Sequence, residues 1–460
     1  MRKLIYFIVI IVSISTYGQD RYIQLNELFS KLQTNNDFNG NVLVAENGKP
    51  IFKKSYGVEN EEKNIKLSSR SIFNLASITK QFTATSIVIL KNKGKISYDD
   101  KLEKYFPKLS FYEGITIRNL INHTSGLPDY SKSMDEHWNK SKIADNKDVI
   151  KTLEQYKPKK HFEPNEKWEY SNTGYLLLAS IIEKVSNQSF NVFLQENIFK
   201  PLEMNNTFIH CRRLNPKKIK HLTVGYSFDD QDNYITPDDF GDDFFITYLD
   251  GIYGDGNVFS TTEDLLKWDK ALRSGTIVSN SDKSMMFFNS ELKSCEKTNY
   301  GFGWFIENDE EYGKILYHGG RWGGYITYIE RHLDSNKTVI ILQNLETEKT
   351  TIPTIEIRNI MYNKVKNISI EVLKKYAGLY KTKSGSKKKV ILKKDKLYVP
   401  NPMSENINLE LIPVSTNKFV VSKFSPAVSY EFLLNNKDKV TGYRVKQKGE
   451  SLNQIVDKIE

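Results

Sequence analysis

Ser77 and Lys80 stand three residues apart in Phe73-Asn74-Leu75-Ala76-Ser77-Ile78-Thr79-Lys80-Gln81-Phe82, where a helix-patterned apolar run begins (Phe82, Ala84, Ile87, Val88, Leu90). Positions three apart share one face of a helix, so a hydroxyl and an amine can meet there. A serine in the first turn also sits among backbone N–H groups without intrahelical partners, at the positive end of the helix dipole. Such a place can generate a nucleophile and hold an oxyanion. The same serine reads equally as an N-cap. Ser-x-x-Lys recurs at Ser290, Ser294, Ser384 and Ser415, with no amphipathic helix after it. The pair needs partners before it means catalysis.

Two further stretches offer them. Tyr170-Ser171-Asn172 precedes a strongly apolar helical run (Tyr175, Leu176, Leu177, Leu178, Ile181, Ile182, Val185). It is either a phenol and an amide brought to a site, or a helix cap by Asn172 with Tyr170 packed in the core. His318-Gly319-Gly320 falls at the end of a strand predicted over Ile315 to His318, and glycines there let backbone approach a ligand closely. His123 and Ser125, in the loop His123-Thr124-Ser125-Gly126-Leu127-Pro128, read as residues that cap a short helix and brace its loop.

The elements that must carry these residues alternate between the two periodicities. A helix is expected over Tyr22 to Leu32, then strands over Asn41 to Glu46 and Pro50 to Val58 joined by Asn47-Gly48, a tight-hairpin signal. After the Tyr170 helix a second one runs from Ser189 to Pro201. The stretch Asn205 to Asp250 is loop-like and rich in Asp, Asn and Tyr, as segments that shape binding sites often are. Thr261 caps a helix through Leu272. Strands of an antiparallel sheet follow at Gly301 to Ile306, Ile315 to His318, Gly324 to His332 and Thr338 to Gln343. From Ile368 onward only short alternating strands are expected, with no further helix: a small all-β sandwich or barrel.

At 460 residues and 39% hydrophobic content the chain can bury a large core and divide into two domains. The net charge of +10 invites nucleic acid, but 56 acidic residues are interspersed with the lysines, so a solvated lysine surface accounts for it. Residues 1–18 read as a secretory signal: Arg2 and Lys3, an apolar core from Leu4 to Val12, and Thr16-Tyr17-Gly18 for cleavage. No later run is long enough for a transmembrane helix. A secreted or periplasmic location is expected. Cys211 and Cys295 could form one bridge or remain two thiols.

Taken together, Ser77-x-x-Lys80, Tyr170-x-Asn172 and His318-Gly319-Gly320 resemble the motifs of the serine β-lactamase and penicillin-binding (DD-peptidase) superfamily, in that order. The class C-like serine hydrolase branch is the most similar. The resemblance extends to the His123–Leu127 loop, Trp168 to Tyr175, Ser260-Thr261 with Asp264-Leu265, and Tyr300-Gly301-Phe302-Gly303-Trp304, and spans about Asn39 to Asn344. It implies an α/β (α+β) fold: an antiparallel sheet flanked by helices, plus an all-helical subdomain, in a domain over 19–365, before the all-β domain over 366–460. It implies that Ser77 is acylated and that Lys80, as an uncharged amine, takes its proton. Tyr170 would relay that proton, and Asn172 would hydrogen-bond Lys80 and substrate. The site would include His318, Gly319 and Gly320, with an oxyanion hole from the N–H groups of Ser77 and Arg321. No metal or organic cofactor is implied. The partners would be a small-molecule or peptide substrate, cell-wall peptides among them, and no nucleic acid.

One departure bears on substrate. Relatives that act on β-lactams usually carry Lys-Thr-Gly or Lys-Ser-Gly where this chain has His318-Gly319-Gly320, and that lysine and hydroxyl bind the substrate carboxylate. A mostly neutral histidine and a glycine weaken that recognition. Esters, amides or D-amino-acid peptides are the expected substrates. The alternative is a penicillin- or peptidoglycan-binding sensor on the same scaffold that is occupied without turnover.

Overall fold

The computed structural model describes residues 20–231, 233–347, 350, 352–364, 368–401, 404–421, 428–447 and 453–460. The secretory segment expected at 1–18 lies outside them. The chain divides into two compact units, one running from Phe29 to Thr350 and the other made of the remainder.

The first unit is built on six antiparallel strands. These are β1 (Gly40–Glu46), β2 (Lys49–Tyr56), β3 (Phe305–Asp309), β4 (Gly313–Trp322), β5 (Tyr325–His332) and β6 (Lys337–Gln343). Their order across the sheet is β3-β4-β5-β6-β1-β2. The first hairpin turns on Asn47-Gly48, as its sequence predicts. Every residue of β5 and β6 is buried, so the sheet is covered on both faces at its centre. A helix over 20–34 (α1) brings Phe29 onto Phe52 of β2. Helix α2 (Thr79–Asn92) packs against α3 (Asn172–Ser186), which also meets shorter helices at Ile117–Asn122 and Asn146–Tyr156, the latter packed on Tyr130–His137. Helix α4 (Thr262–Ser274) lies on β6 and β1.

Helix α2 differs from the amphipathic helix its pattern suggests. Residues Thr79 to Val88 are all buried, polar ones included. Burial without a partner is costly, and several of the polar side chains are tied down, though Thr85 Oγ1 and Gln81 Nε2 find no hydrogen-bond partner among the described residues. The Thr83 hydroxyl donates to the Gly254 carbonyl at 2.6 Å, Ser86 to the Phe82 carbonyl at 2.8 Å, and Gln81 Oε1 accepts from Trp268 of α4 at 3.0 Å. A helix held on all sides gives its first turn a fixed position.

Two strand boundaries move. Strand β4 continues through Trp322, so His318-Gly319-Gly320 lies within a strand and not at its end. The stretch before Phe305 is a turn, because Gly303 takes a φ of 77°. Pairing of β3 with β4 stops at Phe305 opposite Tyr317. Among the described residues, Gly319 to Trp322 therefore pair as strand only with β5 and keep an open edge on the other side.

The second unit closes eight antiparallel strands, from Gly378–Thr382 to Asn453–Lys458, into a barrel. Tyr380, Phe419, Phe432 and Tyr443 fill it, and Tyr376 stacks on Phe432 at 4.3 Å. The all-strand expectation after Ile368 is corrected at one place, the helix Ile370–Tyr376. Ser369 caps it by accepting from Val372 N–H, and Leu373 and Tyr376, three apart, turn one face into the barrel core.

Candidate active site

Ser77 is not the N-cap of α2. The helix starts at Thr79 with Ile78 before it and no side-chain cap, and Ser77 lies in a 3-10 turn over Ala76–Ile78. Ala76 takes a φ of 47°, a left-handed conformation that costs a non-glycine residue roughly 1–2 kcal/mol. The surroundings hold it there. Ala76 N–H donates to Asn74 Oδ1 at 2.9 Å, Leu75 N–H to the Val258 carbonyl at 2.8 Å, and Thr327 Oγ1 of β5 to the Leu75 carbonyl at 2.7 Å. Backbone strain so over-determined is found where side chains must be presented at one angle. Here it presents Ser77.

Lys80, fully buried, extends beneath that hydroxyl. Its Nζ lies 3.0 Å from Ser77 Oγ, 2.9 Å from Asn172 Oδ1 and 2.8 Å from the Asp255 carbonyl oxygen. The last two oxygens can only accept, so two N–H bonds of Lys80 are committed to them. The remaining position of the nitrogen faces Ser77. The ring of Tyr170 lies against the same nitrogen, its centroid 4.7 Å away. Three stretches far apart in the chain, at 77–80, 170–172 and 255, thus meet at one atom.

The Tyr170-Ser171-Asn172 stretch owes its placement to a division of labour the sequence leaves ambiguous. Ser171, not Asn172, caps α3, its hydroxyl accepting from Gly174 N–H at 3.1 Å. Asn172 is therefore free to turn its amide to Lys80 on one side and, at 3.4 Å, to Asp129 Oδ2 on the other. His123, read from sequence as a loop brace, holds this segment from behind. Its Nδ1 accepts from Ser171 N–H at 3.0 Å, and its ring packs 4.4 Å from that of Tyr170.

Strand β4 passes so close to the Ser77 turn that only glycine fits at 320. A Cβ there would lie 2.4 Å from the Leu75 carbonyl and 2.9 Å from Ser77 N. The close approach expected of this motif is thus to the protein's own turn, and Gly320, not Gly319, makes it. A Cβ on Gly319 would meet nothing nearer than 3.6 Å. Arg321 follows at the open edge and, with Ser77, Asn172, Asp255, Leu249 and Trp322, lines the cavity. Its guanidinium is tied to Glu346 at 3.1 Å.

His318 is buried below the cavity, 1% exposed. Its Nδ1 faces the Gly319 carbonyl at 2.6 Å and its Nε2 the Tyr300 hydroxyl at 3.0 Å. A carbonyl cannot donate, so Nδ1 carries the proton and Nε2 accepts. Burial, with the Lys80 charge nearby, pushes its pKa down to about 3. Burial, Lys80 and His318 likewise hold His123 well below the ordinary imidazole value. Both rings are neutral at physiological pH.

That has a measurable consequence for stability. An imidazole whose folded pKa lies below its unfolded value leaves stability intact above about pH 6.5 and lowers it as the unfolded chain takes the proton. For His318 the loss should accumulate from about pH 6.5 down to about pH 3. Urea unfolding at several pH values should show it, and His318→Asn should reduce the slope in that window relative to wild type. An unchanged slope would mean that His318 is protonated in the folded protein.

Sequence reasoning did not find Tyr130 and Asp255. Asp255 supplies Lys80 with its carbonyl and takes a hydrogen bond from Tyr130 Oη on its Oδ2 at 2.9 Å. Burial raises the Asp255 pKa. The glycines on either side of it were the only local signal. Cys211 is buried and Cys295 exposed, and both are free thiols.

The residue pattern of the Beta-lactamase family matches residues 25–357 of this chain. Penicillin-binding protein 4* of Bacillus subtilis (strain 168) is 38% identical to it over 427 residues, which cover 90% of this chain and 94% of that protein. Among solved structures, the octameric penicillin-binding protein homologue from Pyrococcus abyssi superposes with a TM-score of 0.63 at 22% identity, over 94% of this chain and 99% of that one. The D-amino acid amidase from Ochrobactrum anthropi SV3 does so with a TM-score of 0.62 at 21% identity, over 75% of this chain and all of its own. The chain belongs to the β-lactamase family and is an enzyme of the serine hydrolases related to it. No helix among the described residues is long and apolar enough to cross a membrane.

Proposed function

We propose that this protein is an exported serine hydrolase that cleaves esters, amides or D-amino-acid peptides through an acyl-enzyme on Ser77. The observation that carries this reading is the environment of Lys80 Nζ. Two obligate acceptors fix two of its N–H bonds, and the one position left faces Ser77 Oγ at 3.0 Å. In the uncharged amine that position is the lone pair, aimed at the proton to be removed.

The steps follow from that geometry. Ser77 Oγ attacks the substrate carbonyl carbon as its proton passes to Lys80 Nζ. The carbonyl π electrons move onto oxygen, and the N–H groups of Ser77 and Arg321 stabilise the oxyanion. Donors of this sort contribute roughly 3–4 kcal/mol. The oxyanion collapses and expels the alcohol or amine, which takes the proton by way of Tyr170. Water then attacks the acyl carbon, giving its proton to Tyr170 and Lys80; the bond to Ser77 Oγ breaks, the acid leaves, and Oγ takes that proton back. Asn172 keeps Lys80 in place and reaches the substrate. His318, neutral and doubly hydrogen-bonded, brings no cation to the cavity, and the Arg321 guanidinium is already engaged by Glu346. Among the described residues that line the cavity, a substrate carboxylate therefore finds no unengaged cation, which disfavours β-lactams. Residues 1–18 serve as the export signal, and the barrel-containing region forms a domain of its own.

A panel of p-nitrophenyl esters, D-aminoacyl amides and nitrocefin tests the substrate range. We expect ester or D-aminoacyl amide turnover above nitrocefin turnover. The reverse ranking would overturn the argument from a neutral His318.

A further inference from the structure

A row of aromatic rings leads away from the cavity of Ser77. It starts at Trp322, which lines that cavity as the last residue of β4. The Phe245 ring stands edge-on to Trp322 with centroids 5.6 Å apart. Phe244 follows at 4.8 Å from Phe245, and Phe240 at 4.9 Å from Phe244. The row is not packed away. Phe240 is 52% and Phe245 43% exposed, two of the larger apolar surfaces left in water by this chain. Contiguous exposed aromatic surface is uncommon and usually marks a place where something apolar binds.

The row is also held in place. Gly323, next after Trp322, has a φ of 56°, and a Cβ on it would stand 3.2 Å from Ile246 Cγ2 and 3.6 Å from Pro237 Cγ. The turn between β4 and β5 thus seats the segment 237–246 directly upon itself. The same strand carries Arg321, whose N–H the proposed mechanism aims at the oxyanion. Rings fixed to that strand keep a constant relation to the reacting carbon, as a specificity subsite requires. Nothing in the hydrolytic steps uses them.

The geometry points to an extended apolar subsite: the enzyme prefers substrates that carry a long alkyl or aryl group, which leaves the Ser77 cavity over Trp322 and lies along Phe245, Phe244 and Phe240. This rests on the hydrolase reading above and adds the substrate class. Acyl chain and alcohol, on either side of the scissile bond, offer the same apolar chemistry for recognition. A fully buried methylene changes affinity roughly fourfold. A half-open row captures part of that, so a gain of at least about tenfold in kcat/KM from a two-carbon to an eight-carbon group is expected.

The experiment uses the full chain and two ester series. One is p-nitrophenyl acyl esters from acetate to octanoate, and the other acetate esters of alcohols from ethanol to octanol followed by acid release. The readout is the ratio of long-chain to short-chain kcat/KM, in wild type and in the double variant Phe240→Ser with Phe245→Ser. Circular dichroism and Tm report whether the variant folds, and Phe240→Ser alone serves if the double variant does not. The subsite predicts a rise of about tenfold or more in one series, falling below about threefold in the variant. The series that rises identifies the side of the bond. A flat ratio in both series, or a rise that the variants keep, overturns the subsite while leaving hydrolysis at Ser77 standing. No turnover of any ester by wild type would instead strike esters from the hydrolase reading, and the subsite with them.

Discussion

Ser77→Ala abolishes turnover of every substrate the wild type accepts, with kcat reduced at least about 10⁴-fold, the scale seen when the nucleophile of a serine hydrolase is removed. The substitution deletes one oxygen at a half-exposed position. The strained Ala76 turn is held by Asn74, Val258 and Thr327, none of which uses the serine side chain. The protein should therefore fold and melt as wild type does, and the loss is chemical. Intact mass after incubation with a fluorophosphonate checks the covalent step: wild type gains one adduct and Ser77→Ala gains none. An adduct that persists on wild type without turnover of any substrate would favour the sensor reading over the enzyme. Residual activity within tenfold of wild type would place the nucleophile elsewhere.

Lys80→Met is the second large effect. Methionine is unbranched and of similar length, so the space is filled, but the amine is gone. General base catalysis contributes roughly 10²–10⁴-fold, and acylation measured by stopped flow with an activated ester should fall by that factor. Two buried acceptors, Asn172 Oδ1 and the Asp255 carbonyl, also lose their donor, so Tm should drop. Lys80→Arg separates base from donor. Arginine can still hydrogen-bond, yet it cannot give up its proton in a protein. It should recover part of the Tm and none of the rate. Recovery of the rate by arginine would show that the residue acts by charge alone.

Local patterns in the sequence were enough for some of this architecture. Alternation in β1 and β2 with Asn47-Gly48 between them, the cap at Thr261, and the apolar run of α3 each follow from interactions within a few residues, and the structure contains them. The eight-stranded barrel was legible as short alternating strands, though the helix Ile370–Tyr376 was not, because the alternation Ile370-Glu371-Val372 at its start looks like part of a strand. Helix α2 was legible as a helix but not as a fully buried one, since Thr83 and Ser86 are satisfied by carbonyls, that of Thr83 remote in the chain.

For the site, spacing alone put Ser77 and Lys80 within reach of each other; Tyr170 and Asn172 joined them only through the resemblance to the serine β-lactamase and penicillin-binding superfamily. What the sequence could not determine is which cap belongs to Ser171 and which amide to Asn172, that Ser77 precedes the helix in a strained turn, or that Gly320 exists to let β4 reach that turn. Nor could it show Asp255 and Tyr130 at the lysine, or the burial that lowers the pKa of His318. Those features depend on contacts between segments far apart along the chain and on burial, which changes the energy of a charge. Neither is written in any single stretch of residues; both arise only when the sheet, the turn and the helices close around one another.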